Sequence, residues 1–144
     1  MGGPFMALVE VKAALRPAGD QVQIQAGEHT YLADEPVRKG GTDAGPTPVQ
    51  YLLSSIGACM SITARYVASL HEDLTLAHFS ADVSGRTKGY PDGSSNVIDI
   101  TITLTADCNW SGDQLHAYYD EVVTKCTVHK TLAPGVPMTL QYTE

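Results

Sequence analysis

The chain has 144 residues, a length typical of one globular domain. Apolar residues make up 43% of it and charged residues 17%, a balance that excludes an intrinsically disordered chain. Sixteen acidic residues against nine basic ones give a net charge of −7, and the basic residues form no cluster. The charge therefore disfavours nucleic acid and anionic membranes as partners. We expect a single domain over residues 1–144.

Three short strands are predicted in the first third of the chain. Loose alternation of apolar residues indicates strands at 7–15, 21–25 and 29–33, and the residues between them are typical of turns. The glycine-rich segment 39–46 that follows is predicted to be a loop. This opening is typical of a β-meander.

A long helix is predicted next. Thr47 is a good N-cap, Pro48 suits the first helical position, and Gln50 completes a capping box. Apolar residues then recur at helical spacing as far as Leu70, and residues 44–64 include no charged side chain. The prolines and hydroxyl side chains in this stretch argue against a membrane span. The pattern favours a buried central helix.

The second half of the chain predicts a hairpin, a helix and a last strand. Strands are expected at 76–87 and 97–106, and a second capping box at 111–114 begins a helix. Apolar residues at helical spacing place Cys126 on the buried face of that helix, and 136–142 forms the final strand. The predicted order is βββ-α-ββ-α-β, which is an α+β fold.

Cysteine usage points to a reducing compartment. Cys59, Cys108 and Cys126 are odd in number and lack the paired spacing of a secreted disulfide framework. The N-terminal residues show no basic segment followed by an apolar run, so we expect no signal peptide and a cytoplasmic location. Cys126 and His129 have zinc-ligand spacing, but no other cysteine has a histidine near it at such spacing. We expect no metal site.

Two of the thiols lie on the apolar faces of two different predicted helices. One interpretation is that Cys59 and Cys126 are both small buried hydrophobic residues, which is the commoner state of a free cysteine. The other is that the two helices pack together and bring the thiols into contact as a redox pair. Spacing alone leaves both interpretations open and favours the first.

Three segments together resemble the OsmC/Ohr family of thiol-dependent hydroperoxide reductases. They are 40–48 (GGTDAGPTP), 56–59 (IGAC) and 126–132 (CTVHKTL), the last of which usually has proline where this chain has Thr127. The resemblance covers nearly the whole chain. It implies an OsmC-like fold, in which a buried central helix packs against a curved antiparallel sheet.

The resemblance also implies a function, a cysteine-based peroxidase that acts on organic hydroperoxides. The thiol on the central helix, here Cys59, would become a sulfenic acid and then form a disulfide with Cys126. A thiol reductant of unknown identity would regenerate the pair, without metal, nucleotide or flavin. The family also forms homodimers. Cys108 has no counterpart and is expected to be non-catalytic.

A thiol in the middle of a helix gains little from its own helix dipole, so another group must lower its pKa. The family uses an arginine from the N-terminal half. Arg38 matches its position in the OsmC branch and Arg16 in the Ohr branch, and we favour Arg38. The hydroperoxide-reducing branches also have a glutamate where this chain has Val49. That departure favours an alternative, a non-catalytic OsmC-like protein that binds a hydrophobic small molecule.

Overall fold

The computed structural model describes residues 3–144. The chain divides into an N-terminal compact unit that ends at Tyr51 and a C-terminal compact unit, Leu52–Glu144. A long helix, α1 (Pro48–Ser69), starts at the end of the first unit and continues in the second. Each unit has one three-stranded sheet, so the predicted α+β class is confirmed. The single domain over the whole chain stays a prediction.

The sheet of the N-terminal unit is the predicted meander. Strands β1 (Lys12–Leu15), β2 (Val22–Ala26) and β3 (His29–Ala33) are antiparallel and lie in chain order. The first strand is shorter than the predicted 7–15. Because β2 has only five residues, its pairing with β1 ends at Lys12, and residues 7–11 have no partner in this sheet.

A buried carboxylate organises the loop after β3. Asp34 is 1% exposed and accepts hydrogen bonds from the backbone N–H of Glu35 at 2.7 Å, of Thr42 at 3.2 Å and of Ala44 at 2.9 Å. The Thr42 hydroxyl donates a further bond at 2.6 Å. That hydroxyl first, and then the N–H groups, lower the pKa of Asp34 to about 2 against the opposing effect of burial. The loop is therefore closed around a group that is ionised at neutral pH.

The glycines of this loop are required by close backbone approach. A Cβ on Gly41 would collide with the carbonyl oxygen of Glu35, and one on Gly45 would collide with the carbonyl oxygen of Leu32. Part of the 40–48 segment is thus explained by packing of main chain on main chain.

We expect Asp34→Asn to lower the midpoint of thermal unfolding, because an amide NH₂ would face N–H groups that need an acceptor. In the native protein the contribution of Asp34 is complete above its unfolded pKa of 3.8 and is lost as the pH falls toward 2. Circular dichroism melts at pH 6, 4 and 2.5 measure both effects. The exposed Asp20→Asn is the matched control, and an equal loss in the two variants would contradict the role of Asp34.

The sheet of the C-terminal unit contains the predicted hairpin and one parallel pair. Strands β4 (Leu76–Gly89) and β5 (Ser95–Cys108) are antiparallel, as the sequence predicts. The last strand, β6 (Met138–Tyr142), is parallel to β5, so one parallel pair adjoins the antiparallel hairpin that the family resemblance implies. Helices α2 (Gly112–Lys125) and α3 (Thr127–Leu132) form the crossover connection that a parallel pair requires.

The predicted second helix is two helices, and Cys126 is the residue between them. Its φ of −74° and ψ of 112° are extended rather than helical, so Cys126 ends α2 and precedes α3. The prediction that it lies on a helix face is therefore wrong, although its burial is confirmed, with 0% exposed. A break of one residue leaves the apolar spacing unchanged, which is why periodicity does not reveal it.

Only one of the two predicted capping boxes is formed. At the start of α1, Gln50 Oε1 accepts from the Thr47 N–H at 2.8 Å, and Thr47 Oγ1 accepts from the Gln50 N–H at 3.2 Å. Ser111, at the start of α2, makes no such side-chain bond. The next residue, Gly112, has a φ of +55°, so the chain enters this helix by a turn of left-handed backbone.

Helix α1 contributes one face to the core of the C-terminal unit. Its residues Ile56, Met60 and Val67 are each 0% exposed and pack in one cluster with residues of β5 and α2. Its other side leaves Ile62 73% and Tyr66 56% exposed, because a single sheet covers only one face of the helix. The predicted burial of α1 thus holds for one stripe. Among residues 3–144 no helix is long and apolar enough to cross a membrane.

Candidate active site

The C-terminal unit brings two of the three thiols together. Cys59 lies in the middle of α1 and packs against the cluster that contains Cys126, whose thiol faces the Cys59 sulfur as a donor and lowers its pKa. Neither cysteine is in a disulfide. Cys59 is half-buried, whereas Cys126 is fully buried. The third thiol, Cys108 at the end of β5, instead donates to the carbonyl oxygen of Trp110 at 3.6 Å.

The start of α3 points its backbone donors at Cys59. The N–H groups of Val128 and Thr127 face the Cys59 sulfur as donors and lower its pKa. They are available because the first N–H groups of any helix have no acceptor within it. In α3 the bond from the Lys130 N–H to the Cys126 carbonyl, at 3.0 Å, is the first of the helical type. The extended backbone at Cys126 therefore turns free N–H groups toward the other cysteine.

A threonine on α1 adds a hydroxyl donor. Thr63 is four residues after Cys59, which places both side chains on one face of the helix. The Thr63 hydroxyl faces the Cys59 sulfur as a donor and lowers its pKa. The sulfur thus has donors from its own helix, from α3 and from Cys126, which is an environment suited to an anion.

The two thiols are inequivalent. Burial raises the pKa of Cys59, but the donors around the sulfur outweigh it and hold that pKa below the ordinary 9.0. The pKa of Cys126 is raised to about 11, mainly by burial and in addition by the adjacent Cys59 as hydrogen-bond acceptor and as negative charge. When one proton leaves the pair, it leaves Cys59. The more accessible thiol is therefore also the more nucleophilic one.

An open cavity of about 840 Å³ lies between α1, α2 and α3, and its wall includes neighbours of the thiol pair but neither cysteine. Thr63 and Thr127, which both contact the Cys59 sulfur, are part of its wall. The remaining lining residues come from α1, α2 and α3 and are mostly polar: Ile62, Tyr66, Thr124, Lys125, Lys130 and Thr131. A small molecule in this cavity would contact Thr63 and Thr127, which are neighbours of Cys59.

The two candidate arginines belong to the N-terminal unit. Arg38 is exposed on a short 3-10 helix, Val37–Lys39, and Arg16 is exposed in the turn after β1. Val49, where a glutamate is expected in hydroperoxide-reducing branches, is 36% exposed in the first turn of α1. The donors that lower the pKa of Cys59 all come from the C-terminal unit.

Sequence reasoning missed the donors at Thr63, Thr127 and Val128. The position of Thr63, four residues after a cysteine in a helix, could have been noticed in the sequence. The break between α2 and α3 at Cys126 leaves no sign in the sequence, so the N–H donors at Thr127 and Val128 could not be predicted. His129 lies in α3, where burial lowers the pKa of its ring, and its backbone N–H faces the Cys126 sulfur. Over residues 3–144 no three His, Cys, Asp or Glu side chains are grouped so as to hold a metal ion.

The family model described as OsmC-like protein matches residues 40–141. The chain belongs to the OsmC-like protein family. The matched span includes both cysteines of the pair and the glycine-rich loop. A comparison with curated proteins found no match.

Solved structures of OsmC-like proteins have the same fold. The OsmC-like protein of Mycoplasma pneumoniae gives a TM-score of 0.85 at 21% identity, over 96% of this chain and 98% of that one. An organic hydroperoxide resistance protein OsmC from Legionella pneumophila gives 0.72 at 16% identity, over 98% and 100%. An organic hydroperoxide resistance protein from Elizabethkingia anophelis gives 0.77 at 10% identity, over 97% and 98%. At these identities the likeness establishes the fold.

The hydrogen bond between the thiols is testable with two substitutions at Cys126. We expect Cys126→Ala to raise the pKa of Cys59, because it removes the S–H donor. Cys126→Ser keeps a donor and should raise it less. The rate of iodoacetamide alkylation against pH measures the pKa in a Cys108→Ser background, and mass spectrometry of the peptides assigns the label to Cys59 where Cys126 is also present. A Cys59 pKa that is the same with Ala, Ser and Cys at position 126 would contradict the arrangement.

Proposed function

We propose that this OsmC-like protein reduces organic hydroperoxides, with Cys59 as the nucleophile and Cys126 as the resolving thiol. The observation that supports this most is the contact between an accessible thiol of lowered pKa and a buried thiol of raised pKa. Family membership and the shared fold with proteins described as organic hydroperoxide resistance proteins agree with it.

In the first step the Cys59 thiolate attacks the distal oxygen of the hydroperoxide, ROOH. The O–O bond breaks, an S–O bond forms, and the alkoxide takes up a proton and leaves as the alcohol ROH. The sulfur is oxidised to a sulfenic acid. The Thr63 hydroxyl and the N–H groups at the start of α3 keep the thiolate populated and oriented before the attack.

In the second step the Cys126 sulfur attacks the sulfenic acid. The S–O bond breaks, the disulfide forms, and the oxygen leaves as water with the proton of Cys126. Burial is the main reason that the pKa of Cys126 is high, and the Cys59 charge adds to it. Conversion of Cys59 to a neutral sulfenic acid removes the second effect, so Cys126 becomes easier to ionise only after the first step. An external thiol reductant then returns both sulfurs to thiols.

The roles of the two cysteines predict different products in single variants. Cys59→Ser should abolish peroxide consumption, because a hydroxyl is a far weaker nucleophile at neutral pH. Cys126→Ser should consume one equivalent and leave a sulfenic acid on Cys59 that dimedone traps. The wild type should lose two thiols and form a Cys59–Cys126 disulfide. Mass spectrometry of peptides after treatment with cumene hydroperoxide identifies each product, and Cys108→Ser is the control that should behave as wild type.

Two results would refute the proposed roles. One is dimedone on Cys126 in the Cys59→Ser variant, which would reverse the assignment. The other is an unchanged thiol count in the wild type together with tight retention of a hydrophobic ligand, which would support the alternative of a binding protein.

The proposal includes Arg38 as a positive charge that stabilises the Cys59 thiolate in addition to the uncharged donors, with Arg16 as the alternative. A carboxylate at position 49 would fix such an arginine by a charge-assisted hydrogen bond. Val49→Glu should therefore raise the rate of thiol oxidation by cumene hydroperoxide, and Arg38→Ala should cancel the gain. Stopped-flow measurement of the single and double variants tests this. If Arg38→Ala has no effect and Arg16→Ala does, the activating residue is Arg16.

The homodimer and the cytoplasmic location implied by the sequence stay predictions. So does the identity of the reductant.

A further inference from the structure

We propose that the cavity beside Cys59 selects hydroperoxides that carry a negative charge, and that Lys125 and Lys130 bind the anionic group. This rests on the proposed function for its chemistry and adds the substrate class. It also predicts binding of an anion that contains no peroxide, which is measurable whether or not the protein is a peroxidase.

The position of the cavity is the first argument. Thr63 and Thr127 contact the Cys59 sulfur and also form part of the cavity wall. Its volume of about 840 Å³ is within the range of small-molecule sites, roughly 300–1,000 Å³. A hydroperoxide bound there would direct its O–O bond past Thr63 and Thr127 toward the thiol, with the rest of the molecule in the cavity.

The local charge is the second argument. The chain has a net charge of −7, yet two of its five lysines line this cavity and none of the eight lining residues is acidic. Lys125 Nζ is 3.9 Å from a carboxylate oxygen of Glu121, which lies outside the lining. Lys130 has no ion-pair partner among residues 3–144, so its charge is available to a ligand. A positive lining in an acidic protein favours an anionic ligand over a neutral one of the same shape.

The geometry of α3 sets the size of the ligand. Thr127, at the thiol, and Lys130 are three residues apart, about 4.5 Å along the helix axis at 1.5 Å per residue. With the reach of a lysine side chain, the anionic group lies on the order of 6–10 Å from the sulfur. A hydroperoxide with a carboxylate across one benzene ring has that length. The Thr124 and Thr131 hydroxyls are further donors on the same wall.

The experiment compares cumene hydroperoxide with its para-carboxylate. Stopped-flow rates of Cys59 oxidation are measured at low and high salt for the wild type, the double variant Lys125→Gln/Lys130→Gln, and Lys125→Arg/Lys130→Arg. Lys88→Gln, at the exposed end of β4, is the matched control. We expect the wild type to favour the carboxylate by about 3- to 10-fold at low salt and less at high salt, since the lysines are solvent-accessible. The Gln variant should lose the preference, while the Arg variant and the control should keep it.

A binding measurement separates this inference from the proposed function. 4-Isopropylbenzoate, which contains no peroxide, should protect Cys59 of the wild type from alkylation more strongly than the neutral 4-isopropylbenzamide. The difference should vanish in the Gln variant. If this protection is found but no peroxide is consumed, the proposed function fails and the anion site stands. Equal protection by the two compounds, or equal slowing of both peroxides in the Gln variant, would overturn the anion site.

Discussion

The extended backbone at one residue, Cys126, determines most of the chemistry of the site. If α2 and α3 were one continuous helix, the N–H groups of Thr127 and Val128 would bond to carbonyl groups one turn earlier and would not reach another sulfur. The break leaves them without helical acceptors and turns them toward Cys59. The same residue provides the second thiol. One local backbone conformation thus places both a partner for disulfide formation and an anion-stabilising group next to Cys59.

This arrangement explains how a cysteine in the middle of α1 has a low pKa. The dipole of its own helix is weak at that position, because the effect is confined to the first turn. The donors come instead from the first turn of another helix and from Thr63, one turn further along α1. With these donors in place, a charged side chain such as the proposed arginine would be only one of several groups that lower the pKa of Cys59. That is consistent with a family member in which Val49 replaces the expected glutamate.

The glycine-rich loop, residues 39–46, owes its sequence to backbone packing rather than to the thiol pair. Its glycines are needed where the loop passes close to the carbonyl groups of Glu35 and Leu32, and its N–H groups close around Asp34. Asp34 itself is outside the segment that resembles the family. The pattern of that segment is thus explained by the folding of the N-terminal unit, whereas the proposed function would account for the pattern around Cys59 and Cys126.

The sequence by itself determined the elements and the candidate residues. Alternation identified the β4–β5 hairpin, the reciprocal bonds of Thr47 and Gln50 were predictable from residue types, and local motifs indicated both cysteines. These features depend on neighbours within a few residues. The parallel pairing of β6, the missing cap at Ser111 and the break at Cys126 were decided by tertiary structure. Tertiary structure also decided the contact of the two thiols, which are 67 positions apart, and the donors to Cys59. Each of these depends on packing between distant segments of the chain, and local periodicity does not record such packing.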